Sequence, residues 1–133
     1  MVRNWIVGTG VMIAGLGAVA AIAAPPAPAA QGDAAKGKTT FARCAACHSV
    51  VPGKKGIGPS LAGIVGRKAG TVPGYRYSPA MAKSGLTWDD ATIARFIAGP
   101  SKVVPGTKMM APPITNPQDQ ANIIAYLKTT GSK

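Results

Sequence analysis

One histidine, two cysteines and no glutamate occur among the 133 residues, and each scarcity excludes something. Three Cys and His side chains cannot supply the four ligands of a structural zinc site. Without glutamate, Asp33, Asp89, Asp90 and Asp119 alone face 15 Lys and Arg, for a formal net charge of +11. A field of that sign steers encounters with acidic surfaces and weakens with salt. The basic residues are scattered and no recognised nucleic-acid motif accompanies them, so the sequence predicts no nucleic-acid partner. Aromatics are scarce as well: beyond Trp5 there are only Phe41, Tyr75, Tyr77, Trp88, Phe96 and Tyr126. A small domain with so thin a core gains much of its stability from what it binds.

The scarce residues lie together, since both cysteines and the histidine fall in Cys44-Ala45-Ala46-Cys47-His48. Cys-x-x-Cys-His is the attachment pattern of a c-type haem, in which two thiols form thioethers to the porphyrin and the adjacent imidazole binds iron. A thioredoxin-like pair would want a strand before it and a βαβ setting, and the residues around Cys44 read as helix. A plain disulfide would leave His48 unexplained. The sequence therefore predicts one haem c per chain, held through Cys44 and Cys47.

Residues 1–24 begin with Arg3 and continue as an uncharged stretch from Trp5 to Ala24; a Pro/Ala linker follows at 25–31. The pattern fits a secretory signal with small-residue cleavage options at Ala21-Ile22-Ala23, and the run is also long enough to span a bilayer. In both readings the remainder, 32–133, is a single exported domain. The expected location is periplasmic, tethered to the outer face of the inner membrane if the segment is retained.

Along that domain a helix is predicted from Asp33 to about Cys47, which places both thiols on one face. Glycines punctuate a loop from Val51 to Thr71. Ser78-Pro79 opens a short helix that Gly85 closes. A Thr87 cap with Asp90 three residues on starts a helix with Ile93, Phe96 and Ile97 inward, ending at Gly99-Pro100. Val103-Val104-Pro105-Gly106 is too proline-broken for helix, and Asn116-Pro117 starts the last one, packed through Ile123, Ile124, Tyr126 and Leu127. The expected fold is all-α, about four short helices and long loops around one haem.

With one histidine, a monomer cannot build a bis-histidine haem. A methionine thioether is the usual second ligand in electron carriers. Met1 and Met12 precede the domain, which leaves Met81, in a helix patterned for packing, and Met109 and Met110, in a proline-bounded loop.

From Gly32 to Gly131 the chain resembles the class I c-type cytochromes of the mitochondrial or bacterial c-two type. The resemblance is carried by Cys44 to His48, Gly58-Pro59-x-Leu61, Gly66-Arg67, Pro73-Gly74-Tyr75-x-Tyr77, Leu86-Thr87-Trp88, Pro105-Gly106-Thr107-Lys108-Met109 and Ile124-Ala125-Tyr126-Leu127. It implies that Met109 is the axial sulfur opposite His48, and that the Pro59 carbonyl orients the imidazole. It also implies that Tyr77, Trp88 and Thr107 bond a haem propionate, that Arg67 offsets its charge, and that Gly37 meets Tyr126 where the first and last helices cross. Three positions depart from the family's habit: Phe96 where a tyrosine often touches the sulfur, Ala111 where a phenylalanine covers the haem edge, and Met81 where an asparagine sits near the propionate.

The function implied is a one-electron shuttle, not an enzyme: a monomer that docks transiently on acidic redox proteins such as a reductase complex, oxidase or reaction centre. Arg43, Lys54, Lys55, Lys102 and Lys108 are the candidate docking charges. A peroxidase or gas binder would need an open iron face and a distal acid or base, and the one histidine is already spent. A haem-bearing structural subunit of a larger oxidase stays open for an anchored form.

Overall fold

The computed structural model describes residues 30–131; the predicted leader at 1–24 and most of the linker lie outside them. Six helical segments follow in order: α1 (Ala34–Thr40), α2 (Ala42–Ala45), α3 (Pro79–Ala82), α4 (Asp90–Ala98), α5 (Pro100–Val103) and α6 (Pro117–Lys128). Among the described residues the only β pairing is an isolated antiparallel bridge between Lys68 and Thr87. No helix there is long and apolar enough to cross a membrane.

The predicted first helix is α1 and α2 in succession. At Phe41 the backbone stays helical (φ −61°, ψ −19°), but its N–H is shared between the Gly37 and Thr39 carbonyls, which tightens the turn. Likewise Gly99 interrupts α4 and Pro100, at a first helical position, starts the added turn α5, which the sequence reading did not anticipate. Joined across these breaks, the segments make the four helices expected.

Asp33, Ser78 and Asn116 cap α1, α3 and α6 through side-chain oxygens that accept from backbone N–H groups. The cap of α4 corrects the sequence reading. Asp89, not Thr87, accepts from the Thr92 N–H, at 2.7 Å. Thr87 is two residues too early because its backbone is committed to the bridge with Lys68.

Of the helix pairs, α1 and α6 pack most extensively. Gly37 makes this possible, because a Cβ there would overlap the Asn122 carbonyl and press on Tyr126 Cβ. The buried Asn122 side chain locks the crossing, its Oδ1 accepting from Asp33 N–H at 2.8 Å and from Gln118 Nε2 at 3.0 Å. Phe41, Ile93, Phe96, Ile123, Ile124 and Leu127 form the core inside this frame. The loops 46–78 and 104–116 wrap the other side and carry most of the predicted site.

Candidate haem site

Between frame and loops lies a cavity of about 470 Å³, within the range of pockets that bury a cofactor. Cys44, Cys47, His48, Pro59, Tyr77, Trp88, Thr107 and Met109 all line it; of the sequence-predicted residues, only Arg67 does not. Arg67 Nη2 donates instead to the Ala62 carbonyl at 2.9 Å, and its backbone supports the wall: Trp88 N–H donates to Arg67 O and Gly66 N–H to Trp88 O, both at 2.8 Å.

Cys44, in α2, and Cys47, two residues past its end, are both half-buried and form no disulfide. Burial pushes the Cys44 thiol above its ordinary pKa, with the neighbouring Arg43 guanidinium pulling the other way. Gly58 makes room for the imidazole, since a Cβ there would collide with the His48 ring. The ring's Nδ1 lies 2.8 Å from the Pro59 carbonyl. A carbonyl only accepts, so Nδ1 carries the proton and Nε2 keeps its lone pair for a metal.

Met109, which also lines the cavity, is half-buried, while Met110 is 94% exposed. Met81 is buried, and it too lines the cavity. Thr107 Oγ1 accepts from the Met109 N–H at 3.3 Å. The wall around these methionines is apolar, with Phe96 packed at 4.9 Å and 65° against Trp88. Tyr77 uses its hydroxyl oxygen to accept from Val72 N–H at 3.1 Å, and burial pushes its phenol above the ordinary pKa. The phenol therefore stays protonated at neutral pH and has a hydrogen left to donate. The Trp88 indole N–H has no protein acceptor among the described residues.

These residues fit a haem. A mainly apolar cavity carries two thiols three residues apart, an imidazole with its metal-binding nitrogen free, a soft thioether and two neutral donors suited to a carboxylate.

Comparison with known proteins decides the matter. A family model described as Cytochrome c matches residues 34–131. The chain belongs to the cytochrome c family. Cytochrome c2 iso-2 of Magnetospirillum fulvum is 55% identical over 89 residues, covering 67% of this chain and 93% of that protein. Cytochrome c2 of Rhodoblastus acidophilus is 52% identical over 106 residues, covering 77% and 99%. In three dimensions the chain is similar to cytochrome cH from Methylobacterium extorquens, with a TM-score of 0.71 and 53% identity over 74% of this chain and 100% of that one. The fold is the all-α cytochrome c fold, the cofactor is one haem c bound covalently through Cys44 and Cys47, and the protein is an electron carrier between redox complexes, not an enzyme.

Sequence reasoning missed Asn122 and the bond that Lys108 makes. Asn122 left no signal because a polar residue in an amphipathic helix reads as exposed. Lys108 read as a docking charge, yet its Nζ donates to the Arg76 carbonyl at 2.8 Å.

Proposed function

We propose that this cytochrome holds its iron between His48 Nε2 and Met109 Sδ, and that it works as a monomeric periplasmic carrier docking on acidic partners. The observation that carries the ligand pair is the 2.8 Å bond from His48 Nδ1 to Pro59 O, together with a half-buried Met109 lining the same cavity. Met110 is too exposed to be that ligand, and Met81 is fixed in α3, where the buried Ser78 hydroxyl accepts from its N–H at 3.1 Å.

When bound, haem supplies a one-electron couple at iron. His48, oriented by Pro59, keeps one tautomer and one ring direction through both redox states. Thr107, bonded to the Met109 backbone, restricts the thioether in the same way. Little therefore reorganises as the electron passes. Tyr77 and Trp88 would donate to a propionate of the bound haem, and Arg67 would act on that edge only through its charge and through the backbone that holds Trp88. Phe41, Ile93, Phe96 and Leu127 exclude water, which strengthens each of these polar contacts.

Arg43 and Lys108 lie at the cavity wall, while none of the four aspartates does. An acidic partner is thus drawn to the side from which the electron leaves, in a small, short-lived contact. Residues 1–24 act as the export signal or as an anchor.

The ligand pair is tested on purified ferric protein by its sulfur-to-iron charge-transfer absorption. The band is expected in the unaltered protein and absent from Met109→Ala. Its persistence in that variant, or rapid cyanide binding by the unaltered protein, overturns the assignment and favours an open-faced haem. Mass measurement of the native protein reports haem attachment and leader cleavage together. Electron-transfer rates with an acidic partner should fall with ionic strength, and a flat profile rejects steering.

A further inference from the structure

Thr107–Pro113 carries Met109, whose side chain packs against the core, but few hydrogen bonds hold the stretch. Among the described residues, one hydrogen bond ties this stretch to any segment beyond Val104–Ile114: Lys108 Nζ to the Arg76 carbonyl, at 2.8 Å. The receiving segment is itself pinned to the histidine side. Lys55 Nζ donates to the Gly74 carbonyl at 2.6 Å, and Tyr75 Oη donates back to the Ile57 carbonyl at 2.9 Å. Ile57 lies two residues before Pro59, which holds His48. A polar chain therefore crosses the loop side of the cavity, from His48 through Pro59, Ile57, Tyr75, Arg76 and Lys108 to Met109.

We infer that Lys108, Tyr75 and Lys55 are positioning residues that keep the Met109 loop closed over iron, and that Gly74–Arg76 is the strap joining the loops of the two axial ligands. The inference rests on Met109 being the axial sulfur. Its physical basis is that both lysines spend a charged donor on a backbone carbonyl, and such bonds are stronger than neutral ones. No helix contributes to the strap, and no other hydrogen bond among the described residues replaces that of Lys108 when it is lost. Lys55 and Lys108 therefore brace the site before any partner arrives, whatever they add to docking.

The test is an imidazole titration of the ferric holoprotein, because neutral imidazole competes with the thioether for iron and is indifferent to a changed surface charge. Lys108→Met should bind imidazole roughly three- to tenfold more tightly. Lys108→Arg, which keeps a donor, should restore most of the original affinity. Tyr75→Phe and Lys55→Met should move the same way by less. Lys128→Met is the control: it removes the same charge and breaks a 2.6 Å pair with Asp90, but Lys128 does not line the haem cavity. Its imidazole affinity should be unchanged. Equal behaviour of Lys108→Met and Lys128→Met, or failure of Lys108→Arg to restore affinity, overturns the strap. The sulfur-to-iron band separates the two levels: if the unaltered protein lacks it, the ligand assignment fails and takes the strap with it; if it is present and Lys108→Met binds imidazole no better, only the strap fails.

Discussion

The helical frame and the loop side of this molecule are held by different physics. In the frame, α1 and α6 cross at a distance only Gly37 allows, and Ile123, Ile124 and Leu127 are buried behind them. All four aspartates serve that half, at helix starts: Asp33 and Asp89 as caps, Asp90 and Asp119 in first turns, where a negative charge meets the positive end of the helix dipole. On the loop side there is no such redundancy. Single bonds such as Lys108 to Arg76 and Lys55 to Gly74 span whole segments, and exposed apolar groups remain at the mouth, Ile57 at 78% and Met110 at 94%. The frame sets whether the protein folds; the loops, with the face of α4 that carries Phe96, set what iron experiences.

The strongest way to break that division is to attack the frame. Gly37→Ala places a methyl into the Asn122 carbonyl, and the helices must part. The expected loss is about 3 kcal/mol of unfolding free energy, read by denaturant titration of the holoprotein. A loss below about 1 kcal/mol would show that the crossing yields easily and that the frame is not the rigid half. Met109→Ala attacks the other half. Its expected signature is reversed: unfolding changes less than in Gly37→Ala, while imidazole affinity rises by about a hundredfold, as when a competitor leaving the competent state about 1% populated is removed. If both variants lose stability alike, the two regions are one cooperative unit.

How legible each half was follows from the same contrast. Covalent attachment requires its residues side by side in the chain, so Cys44 to His48 could be read directly, and the cavity indeed gathers all three. Caps are local too, and Asn116-Pro117 was readable for that reason. Thr87 and Asp89 are both good caps two residues apart, and only the long-range bridge to Lys68 decides between them. Arg67 marks the limit of motif reasoning: the resemblance implies a charge beside the propionate, and the guanidinium donates to the Ala62 carbonyl. Lys55 and Lys108 donate to backbone carbonyls, which every residue possesses, so no side-chain pattern could announce those bonds.

A finer test adds a polar group to the apolar wall. Phe96 is buried and lines the cavity with Met109. Phe96→Tyr offers the sulfur a hydroxyl donor, which withdraws electron density and favours ferrous iron. A net hydrogen bond of about 1 kcal/mol corresponds to roughly 40 mV in a one-electron couple, so the midpoint potential should rise by that order. A redox titration showing an unchanged or lowered midpoint rejects the idea that this wall tunes the thioether.

The smallest effect returns to the frame, at the α4 cap. The Thr92 backbone N–H, then the Thr92 hydroxyl, hold the Asp89 carboxyl below the ordinary carboxylate range, with a lesser pull from Arg95. Because the folded value is depressed, the cap's contribution is fully present above the unfolded value, about 3.9, and is lost as pH falls through the folded one. Asp89→Asn keeps an oxygen that caps as well but does not titrate. Its unfolding midpoint should match the parent at neutral pH and fall less steeply below about pH 4. Parallel acid limbs for the two proteins would mean that the carboxylate's charge adds nothing to the cap. A flatter limb, with imidazole affinity and midpoint potential unmoved, would place this charge wholly on the folding side of the division between frame and loops.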